Sequence, residues 1–94
     1  MRIASLGSGS KGNATLVDTG ETLLLIDCGL TRKEAEERLV ARGVSAGEID
    51  AILVTHEHAD HSRGVASLSN TYELPVFLTA GTAGSPKLGG LKQS

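Results

Sequence analysis

Hydrophobic positions along this chain fall in short runs whose period changes twice. Residues 1–6 are mixed apolar and stop at Gly7, which predicts a strand. Residues 14–17 (Ala-Thr-Leu-Val) and 22–27 (ending Leu-Leu-Leu-Ile-Asp) are rich in strand-favouring side chains. Asp18-Thr19-Gly20-Glu21 between them predicts a hairpin turn, so the first 27 residues read as an antiparallel meander. From 31 to 42 the period lengthens: Ala35, Leu39 and Val40 stand at i, i+4 and i+5 with charges between, the pattern of an amphipathic helix. Thr31 and Glu34 have capping-box spacing, Gly43 suits the position just past the helix, and Glu34 and Arg38 are spaced as an i,i+4 ion pair.

Residues 45–49 predict a short turn, with Ser45 and Glu48 again three apart. Residues 51–55 are apolar without alternation, the pattern of a strand buried on both faces. A short helix over 62–70 and a strand over 74–78, entered by Pro75, complete the order βββαβαβ. From 81 to 94 the pattern is lost among four glycines and a proline. The expected division is a partial domain over 1–83 and a flexible or non-native tail over 84–94.

Composition narrows this picture. Ninety-four residues hold one modest core, and with Tyr72 and Phe77 the only aromatics it must be aliphatic. A net charge of −2 supplies no positive field for nucleic acid or acidic membrane. Arg32, Lys33, Arg38 and Arg42 alternate with Glu34, Glu36 and Glu37, which is a solvated face and not a basic patch. The apolar runs are far too short for a membrane span, and the amino terminus has no signal-like stretch. The single cysteine, Cys28, excludes an internal disulfide and points to a reducing, cytoplasmic location. With no cationic neighbour evident, it is expected to be a small buried residue and not a reactive thiol.

The chemistry is concentrated in Thr55-His56-Glu57-His58-Ala59-Asp60-His61, which holds all three histidines of the chain. The cluster follows an apolar strand and precedes a helix, and loops at strand ends commonly carry function. His56 and His58, two apart on extended backbone, can face one metal ion. Asp60 and His61, where the chain turns into a helix, can hold a second. Imidazole with carboxylate suits zinc, manganese or iron better than magnesium or calcium. A structural zinc site would favour cysteine, of which there is one. Metal-bound water deprotonates near neutral pH and becomes a hydrolytic nucleophile.

His-x-His-x-Asp-His after an apolar strand, with Asp27-Cys28-Gly29 after Leu23-Leu24-Leu25-Ile26, resembles the metallo-β-lactamase-fold hydrolases. The opening Ser5-Leu6-Gly7-Ser8-Gly9-Ser10-Lys11-Gly12-Asn13 and the stretch Asp60-His61-Ser62-Arg63-Gly64-Val65 are similar to one bacterial branch. That branch comprises small nuclease-like hydrolases found beside cell-wall-regulating two-component systems. The resemblance covers roughly residues 1–83 and implies an α+β fold, the amino-terminal half of a four-layer αββα sandwich. Its sheet would be mixed and mostly antiparallel, with helices on one face. It also implies two divalent ions, zinc first, with His56 and His58 on one and Asp60 and His61 on the other. Asp60 would be the catalytic carboxylate. Asp27 would support the metal-site loop from behind the ligands, while its plain reading is a cap on the following turn. Ser8, Ser10, Lys11 and Asn13 would contact substrate.

The family's remaining ligands, a third histidine, a bridging aspartate and a final histidine, lie downstream of residue 94 in full-length relatives. A truncated, poorly active fragment is therefore expected. The leading expectation is a metal-dependent phosphodiesterase acting on DNA or RNA. Thioester or other ester hydrolysis is an alternative, disfavoured by Ser62-Arg63-Gly64 where thioesterase relatives have a Gly-Gly pair. A non-catalytic half-domain that binds metal weakly and self-associates through its uncovered face is a further one. Gly7-x-Gly9-x-x-Gly12 has dinucleotide-binding spacing, but that motif needs a helix next, and a β-rich segment follows.

Overall fold

The computed structural model describes residues 1–9, 12–55 and 62–78. The expected tail over 84–94 lies outside them. Five strands form one sheet in sequence order: β1 (Arg2–Gly7), β2 (Ala14–Asp18), β3 (Leu23–Ile26), β4 (Ala51–Val54) and β5 (Val76–Leu78). β1, β2 and β3 pair antiparallel as the expected meander, and β3, β4 and β5 pair parallel. The sheet is thus mixed, with an antiparallel half and a parallel half. Each parallel step requires a crossover, supplied by α1 (Arg32–Val40) and α2 (Val65–Tyr72).

Local chemistry sets the element ends. Thr19 closes the β2–β3 hairpin, its N–H donating to Thr22 O at 3.0 Å. At α1 the expected capping box is present: Glu34 N–H donates to Thr31 Oγ1 at 3.2 Å, and Thr31 N–H donates to Glu34 Oε1 at 3.0 Å. Such a cap is worth about 1 kcal/mol. Thr31 N–H first, and then the Thr31 hydroxyl at 3.0 Å, donate to the Glu34 carboxylate and hold it below its ordinary range. Its contribution is therefore present above the unfolded carboxylate pKa and is lost as pH falls through the lowered one. Gly43, at φ 75°, ends the helix as expected. Its N–H donates to Val40 O while Val44 N–H donates to Leu39 O, each at 2.9 Å, the bonding of a Schellman turn. Glu48 accepts from Ser45 N–H at 3.0 Å across the following 3₁₀ turn.

Two expectations need correction. Glu34 and Arg38 do not form an ion pair: Glu34 is held by Thr31, and Arg38 donates to Leu6 O at 2.6 Å on the edge strand. The helix-surface pair is Arg32–Glu36 instead, at 3.9 Å. Nor is β4 buried on both faces, because Leu53 is 37% exposed.

The register explains the second correction. Ala4, Leu16, Leu25, Ile52 and Val76 stand in one row across all five strands. Leu16, Leu25, Ile52 and Val76 are buried in one cluster with Ala35 and Leu39 of α1 and Val65 and Leu68 of α2. Both helices therefore cover the same face. The neighbouring row, Ser5, Thr15, Ile26, Leu53 and Phe77, points to the opposite face. So does the row of Ile3, Val17, Leu24 and Ala51. No described element packs there, and Ile3 and Phe77 are 67% and 55% exposed.

Candidate metal centre

The parallel strands β3 and β4 end side by side, and the chemistry sits just beyond them. Asp27 N–H donates to Leu53 O at 2.7 Å, which carries the ladder one residue past β3. Asp27 then takes a left-handed conformation (φ 63°), which aspartate tolerates better than most residues. Its buried carboxylate receives Thr55 N–H on Oδ1 at 2.7 Å and the Thr55 hydroxyl on Oδ2 at 2.6 Å. Both bonds are charge-assisted and among the stronger kinds in a protein. Thr55 is the residue before His56, so Asp27 fixes the point where the chain enters the histidine cluster.

The same turn fixes the exit. Gly64 N–H donates to Cys28 O at 2.8 Å, and the Arg63 guanidinium donates to Gly29 O at 3.2 Å. Residues 27–29 thus hold Thr55, which precedes the histidine cluster, and Arg63 and Gly64, which follow it. His56, His58, Asp60 and His61 themselves lie outside the described residues. The donor set of three imidazoles and a carboxylate in six residues fits divalent zinc, manganese or iron. A pair of anchored ends fits a site that must present those donors together.

The glycine loop rests on this turn as well. Gly29 N–H donates to Asn13 O at 2.8 Å. A side chain at Gly12, whose φ is 148°, would meet Leu30 Cδ2 at 2.9 Å and the Gly29 carbonyl at 3.1 Å. Asn13 braces the loop internally: Gly9 N–H donates to Asn13 Oδ1 at 3.1 Å, and Asn13 Nδ2 donates to Gly9 O at 2.9 Å. Ser8 is exposed, whereas Ser10 and Lys11 lie outside the described residues. The strand β2 follows this loop, so the helix that a dinucleotide site needs is absent there. Cys28 is buried as expected, its thiol donating to Leu30 O at 3.4 Å. Burial pushes its pKa up to about 12, which leaves it protonated and unreactive.

Sequence reasoning singled out Asp27 but missed its partner Thr55, and it missed the packing at Gly64. The signals were present: a hydroxyl directly before the cluster and a glycine directly after it. Neither residue type is informative without the fold that brings positions 27 and 64 together.

Comparison with known proteins bears on this geometry. The model of the metallo-beta-lactamase superfamily matches residues 7–94. The chain is 40% identical over 77 residues to the exodeoxyribonuclease YycJ of Bacillus anthracis, covering 82% of this chain and 29% of that protein. It is 39% identical over 72 residues to the exodeoxyribonuclease WalJ of Streptococcus pneumoniae, covering 77% of this chain and 27% of that one. The chain therefore spans less than a third of the length of these relatives. Among solved structures, a metallo-beta-lactamase of Cronobacter sakazakii with a HARLDQ motif superposes with a TM-score of 0.79 at 24% identity. That match covers 96% of this chain and 36% of the other, and it shows a shared fold. The α+β architecture and the matched family model agree: this chain belongs to the metallo-beta-lactamase superfamily.

Proposed function

We propose that this chain forms the first half of a metal-dependent hydrolase site of the phosphodiesterase kind, acting on DNA or RNA. The observation that carries the reading is the double anchoring of segment 56–61 on the Asp27–Gly29 turn. Similarity to two exodeoxyribonucleases and to a ribonuclease Z of Methanopyrus kandleri (41% identical over 59 residues) supports nucleic acid as the substrate class. His56 and His58 would hold one divalent ion, and Asp60, the catalytic carboxylate, and His61 a second. Zinc is the first candidate, with manganese and iron as alternatives. Bound metal supplies a hydroxide at neutral pH and neutralises charge on the phosphoryl oxygens. Asp27 holds the entry of the ligand segment through Thr55. Ser8, Ser10, Lys11 and Asn13 of the glycine loop would contact substrate. The reducing cytoplasm suits a chain with a single, buried cysteine.

Metal content per folded chain tests this reading. Protein purified without chelator is expected to retain about one or two zinc ions per chain. His58→Ala and His61→Ala are each expected to lose metal with the fold intact by circular dichroism. Metal-free wild-type protein, or variants that keep their metal, would sink the proposal.

A second reading is favoured by the uncovered sheet face. Its described side chains carry no charge, so a second copy laid on it would meet no like-charge repulsion. Five strands at about 4.8 Å spacing make it roughly 24 Å wide. We infer that this chain pairs through it, sheet upon sheet, as a non-catalytic half-domain would. Sedimentation is expected to show a dimer that Phe77→Lys converts to monomer. A wild-type chain that stays monomeric at high concentration would exclude the pairing.

A further inference from the structure

Gly64 lies where the chain leaves the histidine cluster and enters α2. Its φ of −98° is open to any residue, so backbone freedom does not explain the glycine. Space does. A Cβ here would fall on the Leu30 carbonyl oxygen, and it would stand 3.1 Å from the Cys28 sulfur and 3.3 Å from Arg32 N. Backbone forms two of those three contacts, so no rotamer change can relieve them. At Gly47, by contrast, a Cβ would meet nothing nearer than 3.8 Å.

We propose that Gly64 is a positioning residue for the candidate metal centre: it lets the start of α2 lie flat on the turn at Cys28–Leu30. The exit of segment 56–61 is thereby pinned to the turn that Asp27 uses to pin the entry. This rests on the metal reading above. A segment fixed at both ends has already lost much of its conformational entropy before metal arrives, whereas one loose at its exit must lose it on binding. Affinity for metal therefore depends on a glycine that offers no donor atom.

Cys28 provides a readout that needs no metal. It is the chain's only cysteine, and its sulfur is sealed beneath Gly64. Labelling of native, metal-free protein with an aromatic disulfide at pH 8 measures how often α2 lifts from the turn. Gly64→Ala is expected to label about tenfold faster or more, while Gly47→Ala labels at the wild-type rate. In zinc titrations Gly64→Ala is expected to bind at least about tenfold more weakly. Unchanged labelling, or faster labelling with wild-type zinc affinity, overturns the positioning role. If Gly64→Ala does not fold, Arg63→Ala is read by the same two measurements, because it cuts the adjacent bond to Gly29 O. Wild-type values for Arg63→Ala in both also overturn it. Wild-type protein that binds no zinc defeats the metal reading itself. The joint between α2 and the turn is then judged on labelling alone.

Discussion

Replacing Asp27 by alanine is expected to destabilise the chain by roughly 4–7 kcal/mol. Two charge-assisted bonds to Thr55 are lost, each worth about 1.5–3 kcal/mol, and the partly buried donors of Thr55 lose their acceptor. Alanine at φ 63° adds about 1 kcal/mol of backbone cost. Substitutions separate these effects. Asparagine tolerates the left-handed conformation and can still bond Thr55 as a neutral group, so Asp27→Asn should cost about 1–2 kcal/mol. Asp27→Gly loses the bonds without the strain and should fall between the two. Urea unfolding of the three variants without metal checks the order Asn, Gly, Ala. An alanine variant as stable as the asparagine one would show that the carboxylate does not hold Thr55 in solution.

Ile52→Ala is expected to cost about 3–4 kcal/mol, as for other fully buried aliphatic side chains cut to alanine. Ile52 is wholly buried, fourth in the row of five from Ala4 to Val76, between Leu25 and Val76. Against the roughly 5–15 kcal/mol that holds a typical domain together, this is a large share. The thermal midpoint should fall by more than about 12 °C, at about 4–8 °C per kcal/mol. Leu53→Ala, one residue along the same strand, should cost less than about 1 kcal/mol, because Leu53 points to the uncovered face. Similar losses at the two positions would mean that the second face is covered in solution, as the pairing of two copies requires. The contrast therefore reads the sidedness of the core and the state of the open face together. Measured where the wild-type protein is monomeric it reads the sidedness, and measured where it sediments as a dimer it reads the pairing.

Elements with a strong local signal were legible from the residues alone. The meander showed in the strand-rich runs on either side of Asp18–Glu21, and α1 in its period and its capping box. Gly43 was legible because a helix end needs a residue tolerant of positive φ, and glycine is that residue. The Glu34–Arg38 pair was read wrongly for a physical reason. Helical spacing makes an ion pair available but does not decide it. Glu34 had a closer partner in Thr31, and Arg38 found the Leu6 carbonyl, distant in sequence and next to it in space. β4 was misread because an unbroken apolar run does not say whether both sheet faces are covered.

Which side chains carry metal-donor atoms, and that they crowd into one six-residue segment, is determined by the sequence itself, because donor chemistry belongs to side chains and spacing to the chain. The order of strands and helices is determined the same way, through period and capping. Only the tertiary structure decided that one turn, residues 27–30, carries the glycine loop and both ends of the histidine segment. It alone decided that Gly64 is glycine for lack of space and that Leu53 of β4 is exposed. The contacts of this turn join residues from 16 to 36 positions apart, brought together when β3 and β4 align in parallel. Local propensity carries no information about such contacts, because their energy exists only once the sheet has formed.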